Sequence, residues 1–436
     1  MLKKKEFFLN LLISIIPFTY IAGNLLLNVN ILLIIIFSFF FYKAEIFYNK
    51  FTNIDKLILV FFIYVAINGV INDYLYYKDT NIVLIKSLSY LRFLILYFIF
   101  KFLAQKEIIN FKFIFFVFGA ACLFVVIDLL IQYTFGKDIF GFPSDPIKRR
   151  LSGPFGDEYI AGSFIQRFYI FSLYFILIFS KLKNIKSIKY FIFISIGLFS
   201  LGILLAGNRI PLIMFTLSLF LFFLFEREFR KQSIIIFIIC FVSFAIPISL
   251  NQNVYNHYAG FLTKSLEVKD YLFKRLNYFS SDKVERIPNA YAKDIETGIL
   301  VWNKKKIFGG GVKSFYLNCS KIENSIMDKY GGTNCNTHPH NYYLQIASEL
   351  GLVGLFLLIT VFFLILLKSV KILIYQKTNA IKIFLIPFLI TFIVEVFPLK
   401  TTGSFFTSSN ATFLFIIVAI IVGLLEVGKK QNYDKQ

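Results

Sequence analysis

Long apolar runs recur from one end of this chain to the other, and they decide what it can fold into. Twelve stretches are apolar almost throughout, near 6–22, 29–42, 57–72, 82–100, 113–134, 159–180, 190–206, 210–225, 233–250, 342–367, 383–398 and 411–426. Crossing about 30 Å of hydrocarbon takes about 20 helical residues, and most of these runs approach that length. The expectation is an all-α, polytopic membrane protein with about twelve transmembrane helices, the second short enough to be re-entrant. A mean hydropathy of +0.72 excludes a soluble domain.

The net charge of +21 would suit a nucleic-acid binder, but the positions of the charges argue otherwise. With the N-terminus inside, the short cytoplasmic segments carry 23 Lys and Arg residues, beginning with Lys3–Lys5 and ending with Lys429, Lys430 and Lys435, whereas the short outer loops carry seven. That asymmetry is the positive-inside rule. It places both termini in the cytoplasm and makes the bilayer, not nucleic acid, the partner of the basic residues. The first run lacks a small-residue cleavage site, so it is expected to remain as an anchor. Three parts follow: a bundle of about nine helices over 1–250, a large outer loop over 251–340 with short helices lying on the bundle, and the last membrane helices over 341–436.

Chemistry concentrates at 337–354, THPHNYYLQIASELGLVG, where the polar segment turns into an apolar helix. Thr337 or His338 suits the N-cap and Pro339 the first turn. Asn341, Gln345 and Glu349 follow at intervals of four, so they share one helical face, with Ser348 beside them. A polar stripe beginning at a helix N-terminus suits a phosphate. The alternative is a capped helix with interfacial histidines. Elsewhere, Lys86 and Arg92 sit at membrane depth in the fourth run, where charges usually face a wet cavity, although Lys86 can also snorkel to the interface. Asp128 and Glu395 are candidate partners for buried cations.

Of the four cysteines, Cys122 and Cys240 lie in membrane helices. Cys319 and Cys335 share the exported segment, where a disulfide is expected. A zinc site of Cys319, Cys335, His338 and His340 is the alternative, with poor ligand spacing. The first outer loop, Gly23 to Val29, holds no carboxylate for Mg²⁺ or Mn²⁺. No motif for a nucleotide or other cofactor appears.

The stretch His340-Asn341, nine residues, then Gly351-Leu352-Val353-Gly354 resembles the signature of O-antigen ligases and O-antigen polymerases. Ligases often continue with Thr-x-Gly, whereas this chain reads Leu355-Phe356-Leu357, so ligase and polymerase both stay open. RRLSGPFGDEYIAG, the small-polar-Arg turn at Gly207-Asn208-Arg209, and Gly309-Gly310-Gly311 before Ser314-Phe315 resemble further segments of that family. The resemblance implies a GT-C-like glycosyltransferase of the bacterial inner membrane, its active site facing the periplasm. It would move a glycan from undecaprenyl-diphosphate to lipid A-core, or to a second carrier-linked unit in a polymerase, without metal and with inversion. By the same resemblance His340 is the general base or the group that orients the acceptor, and Arg209 binds the diphosphate, helped by Arg150 or Arg286. Arg286 has Lys293 and Arg275 as rivals for the arginine of the first half of the loop. Glu158 would orient an arginine or a sugar hydroxyl, and His338 the turn, with Asn341, Gln345, Lys86 and Arg92 as further substrate contacts. A lipid-linked oligosaccharide flippase is the reading from another class, but nothing in the first half of the chain mirrors 251–340, as paired transporter halves would require.

Overall fold

The computed structural model describes residues 2–48, 51–145, 150–183, 188–232, 252–277, 289–322, 335–375, 379–401 and 403–433, with Ile287 and a few positions between 235 and 249. Apart from one isolated bridge between Lys137 and Pro143, the described residues are helix and loop. The helices are α1 Leu2–Ser14, α2 Ile16–Ile21, α3 Asn24–Tyr42, α4 Asn53–Tyr76, α5 Ile82–Tyr90, α6 Arg92–Gln105, α7 Phe111–Phe135 and α8 Ala161–Lys183. They continue with α9 Ile188–Ala206, α10 Arg209–Phe225, α11 Gln252–Asn277, α12 Ala290–Lys304, α13 Ser314–Cys319, α14 Tyr342–Tyr375, α15 Asn379–Glu395 and α16 Ser408–Tyr433.

Eight of the twelve expected spans, counted among the described residues, are helices long and apolar enough to cross a membrane. The first run is divided into α1 and α2, with Pro17 in the first turn of the second piece. The eighth and eleventh are 17-residue helices, the latter containing Pro387, and the ninth, 233–250, lies outside the described residues except for a few positions. The second run is not short: α3 starts at Asn24, after Gly23 at φ 102°, and the candidate span reaches Phe47.

At the centre stands α16. Its apolar stretch is 94% buried, against 28–67% for the other seven spans, so it packs on protein nearly all round while they also present a face outward. Lipid tails are as apolar as leucine, so packing of small residues and polar contacts hold such helices together. Gly423 of α16 shows the first device: a Cβ there would stand 2.7 Å from both the Ala104 Cβ and the Lys101 carbonyl of α6. Asp55 shows the second. It closes a capping box with Thr52 at the start of α4, and accepts from Lys101 Nζ (2.5 Å) and Tyr97 (2.6 Å) of α6.

Candidate active site

The signature helix begins later than its sequence suggests. His340 takes a left-handed backbone (φ 52°), and Asn341 is the N-cap, its Oδ1 accepting from Leu344 N–H at 3.1 Å. Thr337 instead contacts the His338 ring, Oγ1 to Nδ1 at 2.9 Å. The Asn341 Nδ2 donates to the Pro398 carbonyl at 2.7 Å, tying the helix start to the turn before α16. Asn341 is therefore occupied by architecture, while the rings of His338 and His340, 4.4 Å apart, stand beside it.

The signature glycines mark a break. Gly351 interrupts α14 at φ 69°, a conformation natural to glycine, and a Cβ there would lie 2.2 Å from the Ile307 carbonyl oxygen. Backbone of 306–311 fills the gap: Leu352 N–H donates to Lys306 O (2.9 Å), Val353 N–H to Ile307 O (3.1 Å) and Gly311 N–H to Glu349 O (2.8 Å). Tyr64 of α4 donates to the Leu350 and Phe308 carbonyls, both at 2.9 Å. Lys305 adds a tie to α4, donating to Asn72 Oδ1 at 2.9 Å and standing 3.1 Å above the Tyr76 ring. Burial, with the charge of Lys321 nearby, lowers the Lys305 ammonium to about 8.

On one side of this helix lies a groove of about 680 Å³ whose walls include His340, Tyr291, Trp302, Leu344, Ala347 and Leu399. It is mostly apolar, with His340 and Tyr291 among its few polar groups. Arg209 joins it from behind: Nη1 donates to the Tyr291 hydroxyl at 3.2 Å, and Nη2 meets His257 Nδ1 at 2.7 Å. Arginine can only donate, so His257 Nδ1 accepts, and its protonated Nε2 donates to the Gly207 carbonyl at 3.0 Å. That makes His257 a neutral imidazole, 5% exposed. Asn208 fixes the turn by accepting from Gly162 N–H (3.1 Å) and donating to the Tyr159 carbonyl (2.9 Å). Arg150 comes to the same corner: burial raises the Tyr258 phenol to about 12 against the opposing charges of Arg209 and Arg150.

Other expected residues go elsewhere. Lys86, Arg92 and Gln345 line a separate polar cleft of about 410 Å³ with Lys313, Glu349 and Ser408. Glu158 is exposed and lines neither cavity. Arg286 lies outside the described residues. Within the stripe, Gln345 is mainly a fastener, donating to Ser404 Oγ (2.8 Å) and accepting from Phe405 N–H (2.8 Å).

Sequence reasoning missed His257, Tyr291, Lys313 and Arg167. His257 was the one histidine outside the signature, which was a usable signal. Arg167 of α8 is held by Glu395 through Nη2 (2.7 Å) and Nε (3.2 Å), and by Asn410 Oδ1 (2.7 Å). Lys400 (2.6 Å) and the hydroxyl of Tyr342 (2.9 Å) also donate to Glu395. Glu395 thus partners cations, whereas Asp128 accepts from Ile139 N–H at 2.7 Å and caps a loop. The Cys319 and Cys335 sulfurs are paired as a disulfide, with Cα atoms 5.5 Å apart.

Comparison with curated proteins finds no match. Residues 194–359 match the family model described as O-Antigen ligase, a stretch that contains Arg209, His257, Tyr291, His340 and the break at Gly351. Among the described residues the chain is helical, with eight helices long and apolar enough to cross a membrane, and its residues 194–359 are similar to the O-antigen ligase family that its signature resembles.

Proposed function

We propose that the protein transfers a glycan from undecaprenyl-diphosphate to a hydroxyl of lipid A-core, on the periplasmic face of the inner membrane. The family supports a membrane glycosyltransferase of ligase or polymerase type. One observation supports the finer reading: Tyr291 lines the groove with His340 and accepts a hydrogen bond from Arg209, which stands behind it, so an imidazole and a guanidinium lie on the two sides of one phenol. The apolar walls suit the polyprenyl chain and exclude water from the reacting atoms.

The acceptor oxygen attacks the anomeric carbon, and the bond from that carbon to the diphosphate oxygen breaks. The proton passes to the His340 imidazole, a base suited to neutral pH. Undecaprenyl diphosphate leaves, its new charge met by Arg209 with Arg150 in support. Arg209 would supply the positive charge that a divalent cation supplies in other lipid-linked transferases.

The test is a reconstituted assay with carrier-linked glycan and either lipid A-core or a second carrier-linked unit. Transfer to lipid A-core is expected, unchanged by EDTA; growth on the carrier instead would identify a polymerase. His340→Ala should lower the rate by about 10²-fold or more, the usual weight of a general base, while retaining carrier binding. Wild-type rates in that variant would remove His340 from the chemistry.

A further inference from the structure

Two buried cations within the spans of this protein are each paired with a carboxylate. Lys101 has Asp55 at 2.5 Å and Arg167 has Glu395 at 2.7 Å. Lys86 and Arg92, on the candidate span 82–105, have none among the described residues. Arg92 donates to Ser408 Oγ at 2.6 Å and stands 4.8 Å from the Phe93 ring. Both side chains are exposed along the α5–α6 edge, and both line the 410 Å³ cleft together with Lys313. The one carboxylate there, Glu349, is fully buried, with Lys313 N–H at 3.0 Å on one oxygen and Gln345 Nε2 at 3.4 Å on the other. Three cations against one engaged carboxylate leave the cleft positive.

We propose that this cleft is a second anion site, which binds the phosphate-bearing headgroup of a membrane lipid independently of the His340 groove. Three observations lead there. An uncompensated cation at membrane depth is costly, and a phosphate is the counter-ion the bilayer itself supplies. The fork of Arg92 can hold two phosphate oxygens, with Lys86 and Lys313 as point charges. The third is position. Gln345 and Glu349 face the cleft, whereas Leu344 and Ala347 face the groove, about 150° away around the helix at 3.6 residues per turn. A headgroup in the cleft therefore lies on a different face of the helix from the groove beside His340. The exposed α5–α6 edge lets a ligand with an acyl or prenyl tail enter sideways from lipid. This inference does not depend on the glycan-transfer reading.

Lipid retention by the purified full-length protein, read by native mass spectrometry, tests it. The probes are phosphatidylglycerol, lipid A, undecaprenyl diphosphate, diacylglycerol as the phosphate-free control, and inorganic phosphate. Phosphate-bearing lipids should be retained about tenfold more than diacylglycerol, the weight of one charge-assisted contact, and Lys86→Gln with Arg92→Gln should erase that margin. Arg92→Lys should fall between, and guards against a double variant that fails to fold. His340→Ala should retain lipid as the wild type does. Preference for lipid A or undecaprenyl diphosphate over phosphatidylglycerol would identify a substrate headgroup, and equal retention a bulk anionic lipid; either supports the site. Retention unchanged in the double variant, retention equal for diacylglycerol, or binding of inorganic phosphate without any lipid would overturn it.

Discussion

Arg167 and Arg209 are both drawn into the interior of the protein and are held in opposite ways. Arg167 has its fork closed on Glu395, which also takes Lys400 and Tyr342. Arg209 is held by a neutral imidazole, a phenol and the Phe261 ring at 5.4 Å, with no carboxylate in reach among the described residues. A carboxylate partner cancels the charge it holds; neutral partners fix the direction of a guanidinium and leave its field for something else. Arg167 is thus an element of architecture, joining α8, α14, α15 and α16. Arg209 is a cation placed beside the groove with its charge still available.

The contrast can be broken most forcefully at Arg167. Arg167→Ala should destabilise the protein by about 3–5 kcal/mol, because it leaves Glu395 short of a buried partner. Pairing Arg167→Met with Glu395→Gln should recover part of that loss. Thermal unfolding of the purified protein measures both, and an unfolding temperature unchanged in Arg167→Ala would end the distinction.

Arg209→Ala should do the reverse, leaving the unfolding temperature near wild type and lowering transfer by about 10²–10³-fold, as loss of one electrostatic donor does. Arg209→Lys should recover only part, since one ammonium cannot reproduce the fork. His257→Glu sharpens the comparison: it gives Arg209 the kind of partner Arg167 has, so activity should fall while stability holds. Unfolding of Arg209→Ala to the extent seen in Arg167→Ala would place both arginines in the same class.

The smallest effect is expected from the cysteine pair, which braces the segment carrying α13, itself packed against Val301 of α12. Intact mass without reductant should show the chain two hydrogen atoms lighter than with Cys319 and Cys335 as free thiols. Cys335→Ser should cost at most about 3 kcal/mol of local stability in the chain-entropy model and change transfer less than the Arg209 substitutions. Two free thiols in protein purified without reductant would reject the bond.

Spans were legible in the sequence because hydrocarbon imposes one rule on every residue in a run. Arg209 and His340 were legible because each sits in a short pattern of characteristic residues. Arg167 was not, since it lies within an apolar run and its partner Glu395 is 228 residues away. Nor was the division of the polar residues between groove and cleft. Spacing places Asn341, Gln345 and Glu349 on one face, but only packing shows that Gln345 and Glu349 meet Lys86 and Arg92 while Asn341 and His340 line the groove beside α12. The late helix start escaped for a local reason: His340 adopts a left-handed backbone that a run of cap-like residues does not reveal.

The break at Gly351 also has a mechanical meaning. Peptide groups on both sides of it are paired with 306–311 and with Tyr64, and separating those strands of backbone inside a bilayer would cost several kcal/mol for each group left unmet. The loop is therefore riveted to the membrane helix at this edge and cannot swing from it as a lid. Any opening that admits a bulky lipid-linked glycan has to hinge elsewhere, and Tyr291, which joins α12 to Arg209 through one hydrogen bond of 3.2 Å, is the lighter latch.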